Sequence, residues 1–224
     1  EELREATDWE VPIFVKMGAS RVFDDVKLAA KAGADVIVVD GMEGGTGASP
    51  EIFQEHTGIP TLAAVCEART ALEDCGQYGE IQLVIAGGIR DGADAAKAIA
   101  LGADAVYIGT AALIALNCNK ALYVDDYHQL GTAPGYCHHC HTGRCPVGVT
   151  TQDPKLMERL DIDQAAERVA NLLRVMTAEI QMLARACGKS DVHHLEPEDM
   201  AALTAEASAI CGIPLAGMRR PARL

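Results

Sequence analysis

Residues 81–110 read IQLVIAGGIRDGADAAKAIALGADAVYIGT, and this stretch decides the fold. An apolar run over 81–86 ends at Gly87 and Gly88. A helical pattern follows over 93–101, Gly102 closes it, and a second strand pattern over 103–108 ends at Gly109 and Thr110. Strand, glycine turn, helix, strand is the unit of a parallel sheet with crossover helices. Its closing phrase occurs twice: KAGAD at 31–35 and ALGAD at 100–104 each end a helix in glycine and enter a strand.

Working outward, the same grammar predicts strands at 11–17, 34–40 and 61–65, and helices at 23–32, 49–57 and 68–77. The fold class is therefore α/β, the C-terminal part of a TIM-type (β/α)8 barrel. Five strands beginning near residue 11 are too few to close one, which places the first strands elsewhere. Three regions result: a partial barrel of later strands (1–116), a cysteine-rich loop (117–152) and a helical C-terminal extension (153–224). In the extension, Ala165, Val169, Leu172, Met176, Ile180 and Leu183 recur at helical spacing and predict an amphipathic helix over 163–187. A second helix is predicted from Pro197, with Glu198 and Asp199 in its first turn, to Gly212.

Composition limits the function. The chain has 224 residues, 49% of them hydrophobic, which is enough to bury a core. A formal net charge of -13 argues against nucleic acid or an anionic membrane as partner, since both need clustered Lys and Arg. There is no apolar run long enough to span a bilayer and no secretory pattern at the start. Eight cysteines without a secretory context point to a reducing, cytoplasmic setting and to metal or cluster binding rather than disulfides.

In parallel barrels the reactive groups gather at the carboxyl ends of the strands. Here those ends carry Lys16, Asp40, Gly87, Gly88, Gly109 and Thr110. The glycines let backbone N–H groups approach a phosphate, and a helix N-terminus after each turn adds a favourable dipole. A phosphate-bearing cofactor is the expected occupant. Lys16 follows an apolar strand and is expected at the pocket mouth, whereas Asp40 and Glu43 read as loop carboxylates and are not taken as catalytic bases.

The loop holds Cys137, Cys140 and Cys145 as C-x2-C-x4-C-P. Three thiolates this close, followed by proline, suit an iron–sulfur cluster: three-iron with these ligands, four-iron if Cys118 joins them. Zinc is the competing reading, because His138, His139 and His141 are interleaved. Cys66, Cys75, Cys187 and Cys211 sit in apolar stretches and read as small core residues.

The segments VKMG, DGMEGGTGASP, AGGIRDGADAAKAIALGADAVYIGTAALIA and CHTGRCPVGVTTQ together resemble the FMN-binding synthase domain of the glutamate synthase family, over residues 11–152. The resemblance implies a barrel that binds FMN beside a 3Fe-4S cluster and reduces 2-iminoglutarate, formed from 2-oxoglutarate, to glutamate. It implies that Lys16 lies near the flavin as a catalytic residue. Gly44, Gly45 and Thr46 would line the ring side, Gly87, Gly88, Gly109 and Thr110 the phosphate side, and Cys137, Cys140 and Cys145 would be cluster ligands, with a 4Fe-4S cluster as the alternative. The loop and the GKSDVHHLEPEDMAALTAE tail are most similar to the shorter flavin subunits of the family, including the N-methylglutamate synthase type, so the resemblance leans to N-methylglutamate formation from glutamate and methylamine; the alternative is an ordinary synthase domain that uses ammonia or glutamine nitrogen. An N-terminal glutaminase cysteine and a nicotinamide-binding G-x-G-x-x-G are not found, so other subunits are expected to supply nitrogen and electrons in a hetero-oligomer. Two readings from other classes stand beside this one: a phosphate-binding barrel resembling the inosinate dehydrogenases, which requires a reactive Cys66, and a non-catalytic structural subunit with zinc in the cysteine loop.

Overall fold

The computed structural model describes residues 1–44 and 50–222. In chain order the elements are α1 (Glu2–Glu5), β1 (Phe14–Gly18), α2 (Val22–Lys31), β2 (Val36–Asp40), α3 (Glu51–His56), α4 (Thr61–Asp74), β3 (Gln82–Ala86), α5 (Gly92–Ala100), β4 (Ala105–Val106), α6 (Thr110–Ala115), α7 (Val124–Gln129), α8 (Pro154–Met157), α9 (Ile162–Ala186) and α10 (Ala205–Cys211). The four strands form one parallel sheet in the order β1-β2-β3-β4. Each parallel neighbour is reached through a helical crossover, as in successive units of an α/β barrel.

Register explains how the sheet delivers a site. Lys16 pairs with Val38 and Val38 with Val84, while Gly18, Asp40 and Ala86 align one pleat further on. Side chains alternate with period two, so Lys16, Asp40, Val38 and Val84 share one face. On the other face Ile37, Val39, Leu83 and Ile85 are buried against Val22, Val26 and Ala29 of α2 and Ala64, Val65, Ala68, Ala71 and Leu72 of α4. β2 is buried on both faces, as a strand inside a parallel sheet must be, and each fully buried Ile or Leu there contributes about 1.5–3 kcal/mol.

The segment at 61–65, expected as a strand, is instead the first turn of α4. Ala64, Val65, Ala68, Ala71 and Leu72 are the buried positions, spaced by one, three or four residues, which is a helical stripe; the apolar run TLAAV is short enough to fit either period. Pro60 supplies the N-cap with φ -57° and ψ 144°, and the helix then runs unbroken into the predicted 68–77 helix. The described residues therefore hold four strands rather than five, and Cys66 lies on a helix. The expected second C-terminal helix also divides. Glu196 and Asp199 close a capping box around a single 3-10 turn, Pro197–Asp199, and Met200 then becomes extended. α10 starts afresh at Thr204, whose side chain accepts from the Ala207 N–H, and stops at Gly212 in the left-handed region.

α9 matches its sequence expectation within a residue at each end and packs along α5. Ala95 and Ile89 meet Met176, Leu172 and Ile180 there. A Cβ at Gly92 would stand 2.4 Å from the Met176 carbonyl oxygen, so glycine is what allows the two helices to touch. Among the described residues no helix is long and apolar enough to cross a membrane.

Candidate functional site

The carboxyl ends of the strands open into a cavity of about 710 Å³, lined by Lys16, Asp40, Glu43, Gly44, residues 86–90, residues 107–111, Ile114 and Leu172 of α9. Lys16, Gly44, Gly87, Gly88, Gly109 and Thr110, separated by up to 94 positions in sequence, therefore all line this one cavity. Gly45 and Thr46 lie outside the described residues. Lys16 Nζ sits 2.8 Å from Asp40 Oδ2, with the lysine half exposed and the aspartate largely covered. The other oxygen, Asp40 Oδ1, is buried and has no hydrogen-bond partner among the described residues.

Sequence reasoning set Glu43 aside, and the structure gives it a task. α4 begins at Pro60 with no capping side chain of its own, so its first N–H groups need an acceptor from elsewhere. Glu43 Oε2 accepts from the Thr61 N–H at 2.8 Å and from the Thr61 hydroxyl at 2.6 Å. Thr61 Oγ1 also lies 2.9 Å from the Gly87 carbonyl oxygen. The loop after β2, the turn after β3 and the start of α4 are thus joined at one hydroxyl.

The two helices that follow the glycine turns differ as anion sites. At α5, Asp91 accepts from the Asp94 N–H and Glu179 of α9 accepts from the Gly92 N–H at 2.7 Å. Arg90 Nε in turn bonds Asp94 at 2.8 Å; this contact holds the Asp94 carboxyl below its usual range against the opposing effect of burial. The start of α5 is therefore capped by carboxylates of this chain and offers little to a phosphate, contrary to the expectation for both turns. α6 begins at Gly109 with no side-chain cap. Gly109 and Thr110 at its start, and the turn at Gly87 (φ 104°) and Gly88 (φ 68°), line the cavity. Arg90, on the cavity wall, was not singled out from sequence; its place two residues after the glycine pair was the available signal.

The cysteine loop is organised around Tyr127 of α7. Its ring is buried with Cys145 and Val147, and Cys137, Tyr123 and Val149 pack on them. Its hydroxyl donates to the Cys118 carbonyl oxygen. Arg159 stacks 4.6 Å over the Tyr123 ring, donates to the Pro146 carbonyl oxygen at 2.8 Å and pairs with Asp126, which fastens the CPV turn to α7. Burial pushes the Cys145 thiol up, but the N–H groups of Thr150, Val147 and Val149 turned toward its sulfur prevail, and it lies below its ordinary range. Thr150 Oγ1, buried without a full hydrogen bond among the described residues, stands against that sulfur. Burial, with Cys140, Cys145 and Cys137 nearby, pushes the Cys118 thiol up to about 11; burial also raises Cys137. Among the described residues no three His, Cys, Asp or Glu side chains converge on one metal ion. This holds for Cys137, Cys140 and Cys145 as for the interleaved histidines, so the geometry favours neither the cluster nor the zinc reading.

Residues 1–190 match the conserved region in glutamate synthase. Over 216 residues the chain is 56% identical to a glutamate synthase large subunit-like protein of Rhizobium meliloti strain 1021, covering 96% of this chain and 49% of that one. Over 194 residues it is 43% identical to a protein of Methanocaldococcus jannaschii named archaeal glutamate synthase (NADPH), covering 86% of this chain and 35% of the relative. The chain thus spans half or less of these relatives. The recombinant flavin-binding domain of baker's yeast flavocytochrome b2 superposes with a TM-score of 0.51 at 21% identity, covering 88% of this chain and 35% of that one, a likeness of fold. A flavocytochrome b2 mutant with pyruvate bound gives the same TM-score of 0.51 over 88% of this chain and 36% of that one. With its strand-end glycines and its CPVG turn both inside the matched region, the chain belongs to the glutamate synthase family.

Proposed function

We propose that this chain is the flavin-facing part of a glutamate synthase-type enzyme that interconverts 2-oxoglutarate, through 2-iminoglutarate, and glutamate. The observation that carries the reading is the convergence of Lys16, Gly44, Gly87, Gly88, Gly109 and Thr110 on one cavity of about 710 Å³, a size suited to a cofactor. The residues fit FMN. Backbone N–H groups without a side-chain cap at the start of α6, and the left-handed turn at Gly87 and Gly88, suit its phosphate, and the wall from Lys16 to Gly44 suits its ring.

When bound, FMN would supply hydride exchange at the carbon that bears nitrogen. The chain's own groups prepare that exchange. Asp40 holds Lys16 Nζ at 2.8 Å, so that the cation stands at the cavity with its position set before a ligand arrives. There it stabilises negative charge on the substrate carboxylate or on the ring edge. Leu172 and Ile114 add apolar surface to the cavity lining. In the loop, Cys137, Cys140 and Cys145 would hold an iron–sulfur cluster, and the N–H groups around Cys145 favour the thiolate that iron requires. Cys118 lies near enough to the other three to be influenced by them and is the candidate fourth ligand. Separate subunits or segments would deliver nitrogen and electrons.

The test is the visible spectrum of the full-length assembly, with flavin and iron quantified, before and after glutamate. Flavin bands that bleach with glutamate over a broad iron–sulfur shoulder are expected, with glutamate formed from 2-oxoglutarate and ammonia under reducing conditions. The relatives named glutamate synthase support glutamate as the product. Formation of N-methylglutamate from glutamate and methylamine would assign the exchange reaction instead. A protein without flavin would overturn the proposal. In that assembly Lys16→Met is expected to lower turnover at least about tenfold, a loss of about 1.4 kcal/mol in the transition state, while flavin content is retained; unchanged turnover would remove Lys16 from the mechanism.

A further inference from the structure

Thr61 is one of the few buried polar side chains, 9% exposed, and it does not line the strand-end cavity. It stands behind the wall, in a second cavity of about 460 Å³ between α4 and α5, which shares Glu43, Gly87, Gly88, Ile89 and Arg90 with the first. Those five residues are therefore the partition between the two cavities, and Thr61 holds two of them. Its hydroxyl is 2.6 Å from Glu43 Oε2 and 2.9 Å from the Gly87 oxygen, and its N–H adds a second bond to Glu43 at 2.8 Å. The surroundings are shaped to it. A Cβ at Gly41 would lie 1.9 Å from Thr61 Oγ1, and one at Gly87 2.6 Å from it, so two glycine turns leave the space that this side chain fills. Glu43, once fixed, lies over Gly88, where an added Cβ would be 3.0 Å from Glu43 Cβ.

We propose that Thr61 is a positioning residue of the cofactor site: its hydroxyl latches Glu43 to the Gly87 carbonyl and so sets where the Gly87–Gly88 turn stands in the cavity wall. The proposal rests on the flavin reading above and adds to it a residue that touches neither cofactor nor substrate. A purely structural threonine at the first turn of a helix needs one acceptor. This one faces two acceptors on two different loops that flank the site, and it fills the space that Gly41 and Gly87 leave open. The hydroxyl carries one proton, shared between the Glu43 carboxylate and the Gly87 oxygen; replacing it by a methyl takes that donor from both, and the turn is then free to shift.

The experiment compares the parent full-length assembly with Thr61→Val and Thr61→Ser. FMN is titrated into flavin-stripped protein, and the visible circular dichroism of the bound flavin is recorded. Thr61→Val is expected to weaken FMN binding about tenfold and to change the flavin dichroism, whereas Thr61→Ser, which keeps the hydroxyl, stays within about twofold of the parent. A general loss of stability would lower the melting temperature of both variants without this split. Equal FMN affinity and identical dichroism in Thr61→Val would overturn the latch.

Amide hydrogen exchange at 61–64 and 86–89 reads the latch without any cofactor. Faster exchange in Thr61→Val but not in Thr61→Ser is expected, and no difference overturns the proposal. If the parent binds no FMN while the exchange result holds, the flavin reading falls and the latch stands. Should Thr61→Val not fold, Glu43→Ala removes the two bonds that Thr61 gives to Glu43 and must accelerate exchange at the Thr61 N–H; unchanged exchange there overturns the proposal.

Discussion

The strand-end cavity and the cysteine loop lie in one chain and are held by different forces. The cavity is framed by regular backbone: four parallel strands in fixed register, with glycine turns and helix caps at their ends. The loop has little regular structure between α7 and α8 and is held by side chains reaching to backbone: Tyr127 to Cys118, Arg159 to Pro146, Thr151 to Gly143. The contrast teaches where each kind of precision comes from. Placing a glycine turn needs only the ladder beneath it, whereas placing a thiolate needs a buried body beside it and N–H groups aimed at it.

The largest break of this comparison is expected at Tyr127. It is 1% exposed and forms the centre of the loop's small core, so Tyr127→Ala should cost the loop about 3–5 kcal/mol. Tyr127→Phe keeps the ring and loses only the bond to Cys118, about 1 kcal/mol. Limited proteolysis across 117–152 and iron analysis would follow the loop, and hydrogen exchange would follow the sheet. Loss of the loop with β2 and β3 still protected is the expected outcome. Simultaneous loss of both would mean that the loop is part of the same cooperative unit and that the division into two regimes is wrong.

A smaller effect is expected at Gly87, on the cavity side. Its φ of 104° is a region that L side chains rarely adopt, and an added Cβ would come within 2.6 Å of Thr61 Oγ1. Gly87→Ala should therefore cost about 1–3 kcal/mol, read as a lowered melting temperature, with weaker FMN binding and an unchanged iron content. Equal loss of iron would show that the turn and the loop are coupled.

How much of this could be read in advance follows from the same physics. The strand ends and α9 were legible because their signals are periodic or local: glycine pairs after apolar runs, and a stripe repeating every three to four residues over seven turns. The run 61–65 misled because five apolar and β-branched residues fit either period. Only the continuing stripe through Leu72, started by Pro60, decides for helix. Glu43 had an indirect signal: a helix beginning Pro-Thr with no capping side chain must borrow an acceptor. The Glu179 contact to Gly92 had none, since it joins residues 87 positions apart and depends on how α9 lies on α5. Cys137, Cys140 and Cys145 were visible by spacing, but the N–H groups that bias Cys145 belong to a loop geometry that spacing does not encode.

The smallest effect separates the two regions by pH. Asp94, in the first turn of α5, is held below its ordinary value of 3.8 chiefly by its hydrogen bond from Arg90. A carboxyl depressed by folding contributes stability that is complete above its unfolded value and is lost as pH falls through its lower folded one. Arg90 is 78% exposed, so solvent screening limits the contribution to under about 1 kcal/mol. Melting temperatures of the parent and Asp94→Asn should therefore differ by a few degrees or less near neutrality and converge on acidification below about pH 3.8. Asp94 bonds Arg90, the Asp91 side chain and Lys97 rather than the loop, so protection of the loop at 117–152 should be the same in both proteins throughout that window. A difference that persists unchanged at the acid end would mean that the asparagine acts through packing rather than charge. The cap at the start of α5 would then owe its hold to shape, as the cysteine loop does.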